Sequence, residues 1–270
     1  MHASTRPDAS TARVVVITGA ASGLGWALTQ QCLAQGDHVV LVDRDAPLLA
    51  ERAPLVGDHG LCLTADITNE ADQQAIIAAV QQHYGRLDVL VHNAGITHRS
   101  VAARTDPAVI RRVMEVNYLA PVALTVACLP LLTASRGALV VIGSMAGWMP
   151  VPGRAGYGAS KSALTQYFEV LRLELAPRGV HVLLVYPSFL DTPIEQHALG
   201  ADGRPAGHAR STAGRIRAPE WQARRILQAL DAKRPTLAGE LLPAIGAYLW
   251  RLWPALYRRL IRRKFASDLN

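Results

Sequence analysis

Residues 14–25, VVVITGAASGLG, place a short β-branched run directly before a glycine-rich turn. A helical pattern follows to Ala34, so the sequence predicts a strand, a tight turn and a helix. The glycines let the backbone turn and approach a diphosphate, which the free N–H groups and positive dipole end of the helix would bind. The residues predicted to form this site are Gly19, Ser22, Gly23, Leu24 and Gly25.

The next apolar run, HVVLVD, ends in Asp43, eighteen residues after Gly25. A dinucleotide-binding fold places its ribose-binding carboxylate at about this distance from the glycine turn. Because a carboxylate binds a ribose diol and repels a 2′-phosphate, Asp43 favours NAD over NADP. Arg44 keeps NADP possible, since its guanidinium can pair with a 2′-phosphate; the alternative is a solvated charge at the strand end.

Two further predicted strands end in residues suited to contact the same cofactor. LCLTAD ends in Asp66, followed by Ile67; Asp66 is either an acceptor for an adenine amino group or an N-terminal cap for a helix that begins near Ala71, and the two roles are compatible. VLVHNAG is predicted to be another buried strand that ends in small residues. That end either lets a cofactor lie against the backbone or is only a tight turn. The residues of that end are Asn93, Ala94 and Gly95.

Asn117 lies inside a helix predicted from about Pro107 to Cys128. Asparagine has poor propensity in a helix interior, so its presence there needs a reason. Either it hydrogen-bonds a neighbouring strand, or it holds a water molecule near the groups described next.

Residues 144–161, SMAGWMPVPGRAGYGASK, contain Tyr157 and Lys161 four residues apart at the start of a helical pattern. The two side chains should share one helix face, where an ammonium beside the phenol favours its ionised form and permits proton transfer near neutral pH. Ser144, at the end of the predicted strand ALVVIGS, offers a hydroxyl to the same substrate oxygen. The structural alternative is a packed ring and a lysine that extends into solvent.

Strands alternate with helices from Val14 onward. This alternation predicts an α/β fold in a single domain, a doubly wound parallel sheet of the Rossmann-like kind, with ligands at the carboxyl ends of its strands. The residues named above all lie at such an end or on the helix that follows.

Composition narrows the functional classes. The 270 residues, half of them hydrophobic, suffice for one sizeable core. No apolar run reaches the roughly 18 uninterrupted residues of a membrane span. Cys32, Cys62 and Cys128 show no metal spacing and are expected to be core residues in a reducing compartment. We expect a cytoplasmic protein.

Together these residues resemble the short-chain dehydrogenase/reductase family in its compact form, over roughly residues 12–238. The resemblance rests on an ordered set with highly specific spacing: Thr18-Gly19-x-x-x-Gly23-x-Gly25, Asp66, Asn93-Ala94-Gly95, Asn117, Ser144, Tyr157-x-x-x-Lys161 and Pro187 with Thr192.

The resemblance implies a role for each catalytic residue. Tyr157 is the acid/base, and Lys161 lowers its pKa and holds the nicotinamide ribose. Ser144 orients the substrate carbonyl or hydroxyl, Asn117 supports a proton-relay water, and Thr192 contacts the nicotinamide carboxamide. With Pro187, these residues and those at the strand ends form the expected cofactor site.

Two positions depart from the family pattern. His92 stands where the family often has a second Asn, and we expect this to be tolerated. Ser188 replaces the usual glycine after Pro187, which bears on the geometry of the nicotinamide loop.

The chain divides into a disordered leader (1–12), a catalytic domain (13–238) and a basic amphipathic helical extension (239–270). Residues 241–270 carry six cations against one acid, +5 of the net charge of +7, so the nearly neutral body argues against a broad nucleic-acid face. Its apolar and arginine-rich sides, with Trp250 and Trp253, predict either contact with a membrane surface through 241–265 or packing on the body or a second subunit. Pro254 either starts a second helix or kinks one.

The sequence predicts an oxidoreductase that moves a hydride between NAD and a secondary alcohol or ketone. Apolar residues around the predicted site, including Trp148, Met149, Val151 and Phe189, favour a hydrophobic substrate. The resemblance further implies a homodimer or homotetramer. The rivals are an NADPH-dependent reductase of 3-oxoacyl thioesters and a non-catalytic dinucleotide-binding scaffold at a membrane.

Overall fold

The computed structural model describes residues 12–187, 189–207, 215–239 and 241–265, with the backbone alone at 241–244. Nearly all of the predicted leader and the position of Ser188 lie outside these residues.

A parallel sheet forms the centre of the described chain. Its strand order is β3-β2-β1-β4-β5-β6-β7, so the chain reverses direction across the sheet between β1 and β4. In chain order the strands are β1 (Val14–Thr18), β2 (His38–Asp43), β3 (Gly60–Thr64), β4 (Val89–His92), β5 (Ala138–Ile142), β6 (His181–Val185) and β7 (Thr236–Leu237). The α/β doubly wound parallel sheet predicted from the sequence is confirmed.

Both faces of the sheet are covered, which explains why its strands are apolar throughout rather than alternating. Along β1, Val14 and Val16 pack into one core layer, while Val15 and Ile17 pack into the other. The helices are α1 (Gly23–Ala34), α2 (Ala46–Val56), α3 (Glu70–Tyr84), α4 (Pro107–Met114), α5 (Ala120–Ser135), α6 (Ala155–Leu175), α7 (Pro219–Asp231), α8 (Leu241–Leu252) and α9 (Pro254–Lys264). Helices α3, α5 and α6 cover one face, and α1, α2 and α7 the other.

One prediction about a helix start is wrong. Asn69, not Asp66, caps α3, because its side chain accepts hydrogen bonds from the N–H groups of Ala71 and Asp72. Asp66 instead accepts from Thr68, two residues on, in a local turn that holds its carboxylate at the strand end.

Helices α4 and α5 are continuous through a π-helical turn, Glu115–Leu119. The combined helix Pro107–Ser135 is long and apolar enough to cross a membrane, contrary to the expectation from the sequence. Leu124, Cys128 and Leu132 of α5 nevertheless pack into the core layer on the sheet, so we assign this helix to the core.

The C-terminal segment forms two helices that meet at Pro254, which begins α9. Tyr257 is buried, and its hydroxyl donates a hydrogen bond to the carbonyl of Pro150, 2.8 Å away. Phe265 and Ala247 are also buried. The segment therefore packs on the body through one side, and the predicted boundary at residue 239 stays a prediction.

Candidate active site

A cavity of about 1010 Å³ lies at the carboxyl ends of the strands, beside the point where the strand order reverses. Open α/β sheets bind their ligands at this place. Of the predicted site residues, only Gly25 and Asn117 do not line it. Those that do are Gly19, Ser22, Gly23, Leu24, Asp43, Arg44, Asp66, Ile67, Asn93, Ala94, Gly95, Ser144, Tyr157, Lys161, Pro187 and Thr192.

The glycine turn adopts a backbone conformation that requires glycine at two positions. Gly19 and Gly23 have φ angles of +64° and +52°, which L side chains rarely adopt. Within the described chain, the side chain of Ser22 makes no capping hydrogen bond at the start of α1. The first N–H groups of that helix have no intrahelical acceptor by geometry, so they fit an anion in the cavity.

Gly25 does not line the cavity, and its predicted part in diphosphate binding stays a prediction. A side chain there would collide with the carbonyl oxygen of Gly19 and with Asn93. Its glycine therefore permits α1 to pack closely on the turn after β1, and it does not itself approach the cavity.

Asp43 serves the glycine turn as well as the cavity. Its carboxylate accepts a hydrogen bond from the Ala21 N–H at 3.0 Å and another from the Asp45 N–H at 3.1 Å. Arg44 is exposed beside it. The carboxylate that is predicted to bind a ribose is thus already oriented by backbone donors.

Asp66 is also held in place. Burial raises the pKa of its carboxyl. The hydrogen bonds from Thr68 and the charges of Arg44 and Arg112 together lower this pKa by more, so it lies below its ordinary value. Asp66 is therefore an ionised acceptor at neutral pH, as an adenine amino group requires.

Asn93 fastens the turn after β4 to the glycine turn. Its Nδ2 donates to the carbonyls of Thr18 and Gly19 at 3.0 and 2.9 Å. The Thr18 hydroxyl in turn accepts from the N–H groups of Asn93 and Ala94. The two turns that flank the cavity are therefore one hydrogen-bonded unit.

Asn117 lies in the π-helical turn and is buried. Its Nδ2 donates to the Ile96 carbonyl and to Ser160 Oγ at 2.9 and 3.0 Å, and its Oδ1 accepts from the Ile96 N–H at 2.8 Å. Ser160 Oγ donates onward to the carbonyl of Tyr157. Of the two roles left open by the sequence, the bonds to Ile96 favour the first, contact with the chain beside a neighbouring strand, and the bond to Ser160 adds support of the helix that carries Tyr157.

Ser144, Tyr157 and Lys161 converge on one wall of the cavity. Ser144 follows β5; its Oγ accepts from the Ala146 N–H at 3.2 Å, and its hydroxyl is close enough to the Tyr157 phenol to lower the pKa of that phenol. Lys161, one helical turn after Tyr157, is buried and donates from Nζ to the Ile142 carbonyl at 2.8 Å. The arrangement can hold a substrate oxygen between two hydroxyl groups and exchange a proton with it.

The electrostatics of this group differ from the prediction. Burial raises the pKa of Tyr157 above its ordinary value, although the Ser144 hydroxyl and the Arg154 charge lower it. From the sequence we expect a lowered Tyr157 pKa, because the Lys161 ammonium would favour the ionised phenol. In the structure this ammonium donates a hydrogen bond to the Ile142 carbonyl. Burial also lowers the pKa of Lys161 to about 8, so it is still mainly charged at neutral pH.

Described residues of the loop after β6 form part of the cavity wall. Thr192 lines the cavity and lies close to the glycine turn, since a methyl group on Gly23 would come within 3.2 Å of it. Trp148, predicted at the rim, is absent from the cavity lining and stacks edge-on against Tyr186. Met149, Val151 and Phe189 do line the cavity.

The structure adds residues that the sequence pattern missed. Ile245, Leu249, Leu260 and Phe265 of the C-terminal segment form part of the cavity wall. Their helical spacing predicted an amphipathic segment, but no local signal indicates which part of the body that segment covers. A charged group around Glu195, described below, was missed for the same reason.

A profile of the short chain dehydrogenase family matches residues 13–201. The chain belongs to the short chain dehydrogenase family. It is 37% identical over 266 residues to "Dehydrogenase/reductase SDR family member 7B" of Bos taurus. The aligned region spans 94% of this chain and 82% of that protein.

Solved structures of short chain dehydrogenases have the same fold. A short-chain dehydrogenase from Streptomyces avermitilis matches with a TM-score of 0.78 and 28% identity over 96% of this chain and all of that one. The 3-ketoacyl-(acyl-carrier-protein) reductase from Brucella melitensis, complexed with NADH, matches with a TM-score of 0.73 and 26% identity over 84% of this chain and 95% of that one. The protein is accordingly an NAD(P)-dependent oxidoreductase of CH–OH groups with a small-molecule substrate.

Proposed function

We propose that this enzyme transfers a hydride between NAD and a hydrophobic secondary alcohol or ketone, with Tyr157 as the acid/base. The observation that carries the proposal is that Ser144 and Tyr157 lie together on the wall of a largely apolar cavity, with Lys161 buried one turn further along α6. A binding scaffold has no need of such a group.

The nicotinamide ring, when bound, supplies or accepts the hydride. In reduction Tyr157 donates its phenolic proton to the substrate oxygen, and in oxidation it takes that proton back. Burial raises the pKa of this phenol above its ordinary value, so Tyr157 carries its proton at neutral pH before reduction begins. Ser144 holds the same oxygen, and the Lys161 ammonium stabilises the phenolate that remains.

Asp43 supports the choice of NAD. Its carboxylate lies at the end of β2 beside the glycine turn and is oriented by two backbone donors. A 2′-phosphate there would meet a fixed negative charge, whereas a ribose diol would donate to it. The exposed Arg44 makes NADP the competing cofactor to measure.

The wall of the cavity supports a hydrophobic substrate. Met149 and Val151 contribute from the segment after β5, Phe189 from the loop after β6, and Ile245 and Leu249 from α8. Sites of this kind bind apolar ligands and use a few polar groups to orient them. A 3-oxoacyl thioester, as the name of the Brucella melitensis relative indicates for that enzyme, is the second substrate class to test.

The decisive test compares Tyr157→Phe with the wild type on secondary alcohols with NAD, and on ketones and a 3-oxoacyl thioester with NADH and NADPH. We expect kcat to fall about 10²- to 10⁴-fold while NADH affinity, followed by nicotinamide fluorescence, is unchanged. Tyr167→Phe on the same helix is the matched control. Full turnover by Tyr157→Phe would defeat the mechanism.

We also propose that the C-terminal segment contacts an anionic membrane surface. Its inner side packs on the body, but Tyr248, Leu252, Trp253 and Leu256 are between 48% and 67% exposed. The six cations of the segment are also exposed around them: Arg251, Arg258, Arg259, Arg262, Arg263 and Lys264. Apolar groups flanked by cations fit an interface of acyl chains and anionic headgroups.

Sedimentation with vesicles tests this contact. We expect binding to phosphatidylcholine vesicles that contain phosphatidylglycerol, and loss of that binding in the double variant Trp253→Ser/Leu256→Ser. Leu173→Ser, which changes a 75% exposed leucine on α6, is the control. If the double variant instead dissociates an oligomer and vesicle binding is absent, the surface covers a second copy of the chain.

A further inference from the structure

Three charged side chains form a cluster next to Tyr157. Glu195 Oε2 accepts from Arg99 Nη2 at 2.6 Å and from Arg154 Nη2 at 2.8 Å, and its Oε1 accepts from Arg154 Nη2 at 3.1 Å. The side chains of Arg99, Arg154 and Glu195 are 7%, 14% and 17% exposed. Charges so far from solvent are weakly screened and act strongly on their neighbours.

The cluster connects three separate parts of the chain. Glu195 lies in the loop after β6, three residues beyond Thr192, and Arg99 lies in the segment after β4. Arg154 occupies the position before the first residue of α6, three residues before Tyr157. Its Nη1 also donates to Thr97 Oγ1 at 3.1 Å. Bonds to two elements thus hold the Arg154 guanidinium in one place.

That place is beside the proposed acid/base. The Arg154 Cζ lies 5.9 Å from the centre of the Tyr157 ring. Arg154 and Glu195 also act on this phenol in opposite directions, since the positive charge lowers the pKa of Tyr157 and the negative charge raises it.

We propose that Glu195 is a positioning residue that holds Arg154 beside Tyr157 and offsets its charge, so that the cluster sets the pH range in which Tyr157 exchanges its proton. The inference rests on the proposed function, in which Tyr157 is the acid/base. Because Glu195 and Thr192 lie in the same loop, the loop that would contact the nicotinamide would also affect proton transfer by Tyr157.

The variants below do not substitute the other groups near Tyr157, and burial, the larger cause of the lowered His98 pKa, stays in place when Arg154 is replaced. His98 Nε2 accepts from the Gly156 N–H at 2.8 Å, and burial with the Arg154 charge lowers the pKa of this histidine, so it is neutral at neutral pH. Ser144 and Lys161 are described above. The remaining titratable or charged groups of the same cavity are Asp43, Arg44, Asp45, Asp66, His197, Tyr257 and Lys264.

The test follows tyrosinate absorbance during a pH titration of each variant. The absorbance step that belongs to Tyr157 is the one that disappears when Tyr157→Phe is added to that variant. We expect Glu195→Gln to move this step about one pH unit lower and Arg154→Met to move it about one unit higher. Arg154→Lys keeps the charge and should return the step towards its wild-type position. Glu169→Gln, which breaks the Glu169–Arg172 pair on the same helix, is the control and should leave the step unchanged.

The pH profile of kcat is recorded in parallel and should move in the same directions, with KM for the substrate little changed. If Glu195→Gln and Arg154→Met move the tyrosinate step in the same direction or not at all, the inference is overturned, even if Tyr157→Phe is inactive. If the step moves as expected while Tyr157→Phe keeps full turnover, the cluster acts on Tyr157 and the proposed function is the part that fails.

Discussion

The carboxylate of Asp43 accepts a hydrogen bond from the backbone N–H of Ala21, 3.0 Å away inside the glycine turn. The residue proposed to select the cofactor therefore also supports the turn that would bind its diphosphate. A simple deletion of this side chain would change both properties at once.

Two substitutions separate them. Asp43→Asn keeps a carbonyl acceptor near the Ala21 N–H but removes the negative charge, so we expect the preference for NADH over NADPH to fall at least about tenfold with stability nearly retained. Asp43→Ala should lose the same preference and, in addition, about 1 kcal/mol of unfolding free energy. Fluorescence titrations and urea unfolding measure the two effects. An unchanged preference in Asp43→Asn would transfer the choice of cofactor to Arg44.

The support of Tyr157 by Asn117 gives a second prediction. Asn117→Ala leaves the buried N–H and carbonyl of Ile96 without this partner and breaks the connection to Ser160. We expect a loss of about 3 kcal/mol in unfolding free energy and a lower kcat, because the start of α6 is less well held.

Asn69→Ala is the matched control for that change, since Asn69 caps α3 away from the site. It should cost about 1 kcal/mol and leave kcat unchanged. If Asn117→Ala is as stable as the wild type, its three hydrogen bonds do not contribute as inferred.

Local patterns explain which parts of this site the sequence could predict. The glycine turn, the acid at the end of β2 and the spacing of Tyr157 and Lys161 each lie within one strand–turn–helix unit, so short-range rules place them correctly. Because parallel strands share one edge, these units then meet at the cavity.

The missed features depend on contacts between distant segments. The ion pair of Arg154 with Glu195 joins residues 41 positions apart, and a side chain at Gly25 would collide with Asn93 from the turn after β4 as well as with the nearby Gly19. Burial, which the sequence does not report, raises the pKa of Tyr157, whereas the prediction from the sequence considered only the effect of the Lys161 ammonium.

His92 predicts how stability depends on pH. It is buried, its Nε2 lies 2.6 Å from Thr125 Oγ1, and burial together with the Lys161 charge lowers its pKa to about 3. The unfolded chain takes up a proton at this histidine below about pH 6.5, whereas the folded chain does not until about pH 3. Stability is therefore lost as pH falls through this interval.

The variant His92→Asn removes that titration and has the residue that the family often carries there. We expect the wild type to lose about 4 kcal/mol more unfolding free energy than His92→Asn between pH 6.5 and pH 3. Urea unfolding at a series of pH values measures the difference, and the exposed His83→Gln is the control. Parallel curves for the wild type and His92→Asn would show that His92 is not buried in its neutral form.

The hydroxyl of Tyr257 connects the C-terminal segment to the catalytic body through the carbonyl of Pro150. Burial raises the pKa of this phenol to about 12, so it is a hydrogen-bond donor throughout the working pH range. Tyr257→Phe removes one bond worth about 1 kcal/mol and keeps the ring, so α9 should stay folded but be held less firmly over the cavity. We expect KM for a hydrophobic substrate to rise about three- to fivefold with kcat nearly unchanged, because the segment supplies cavity wall and does not contribute the proton donor. Tyr248→Phe, at a side chain that is 67% exposed, should change neither constant. A fall in kcat without a change in KM would instead mean that α9 acts on the chemical step, through the nearby segment between Ser144 and Tyr157.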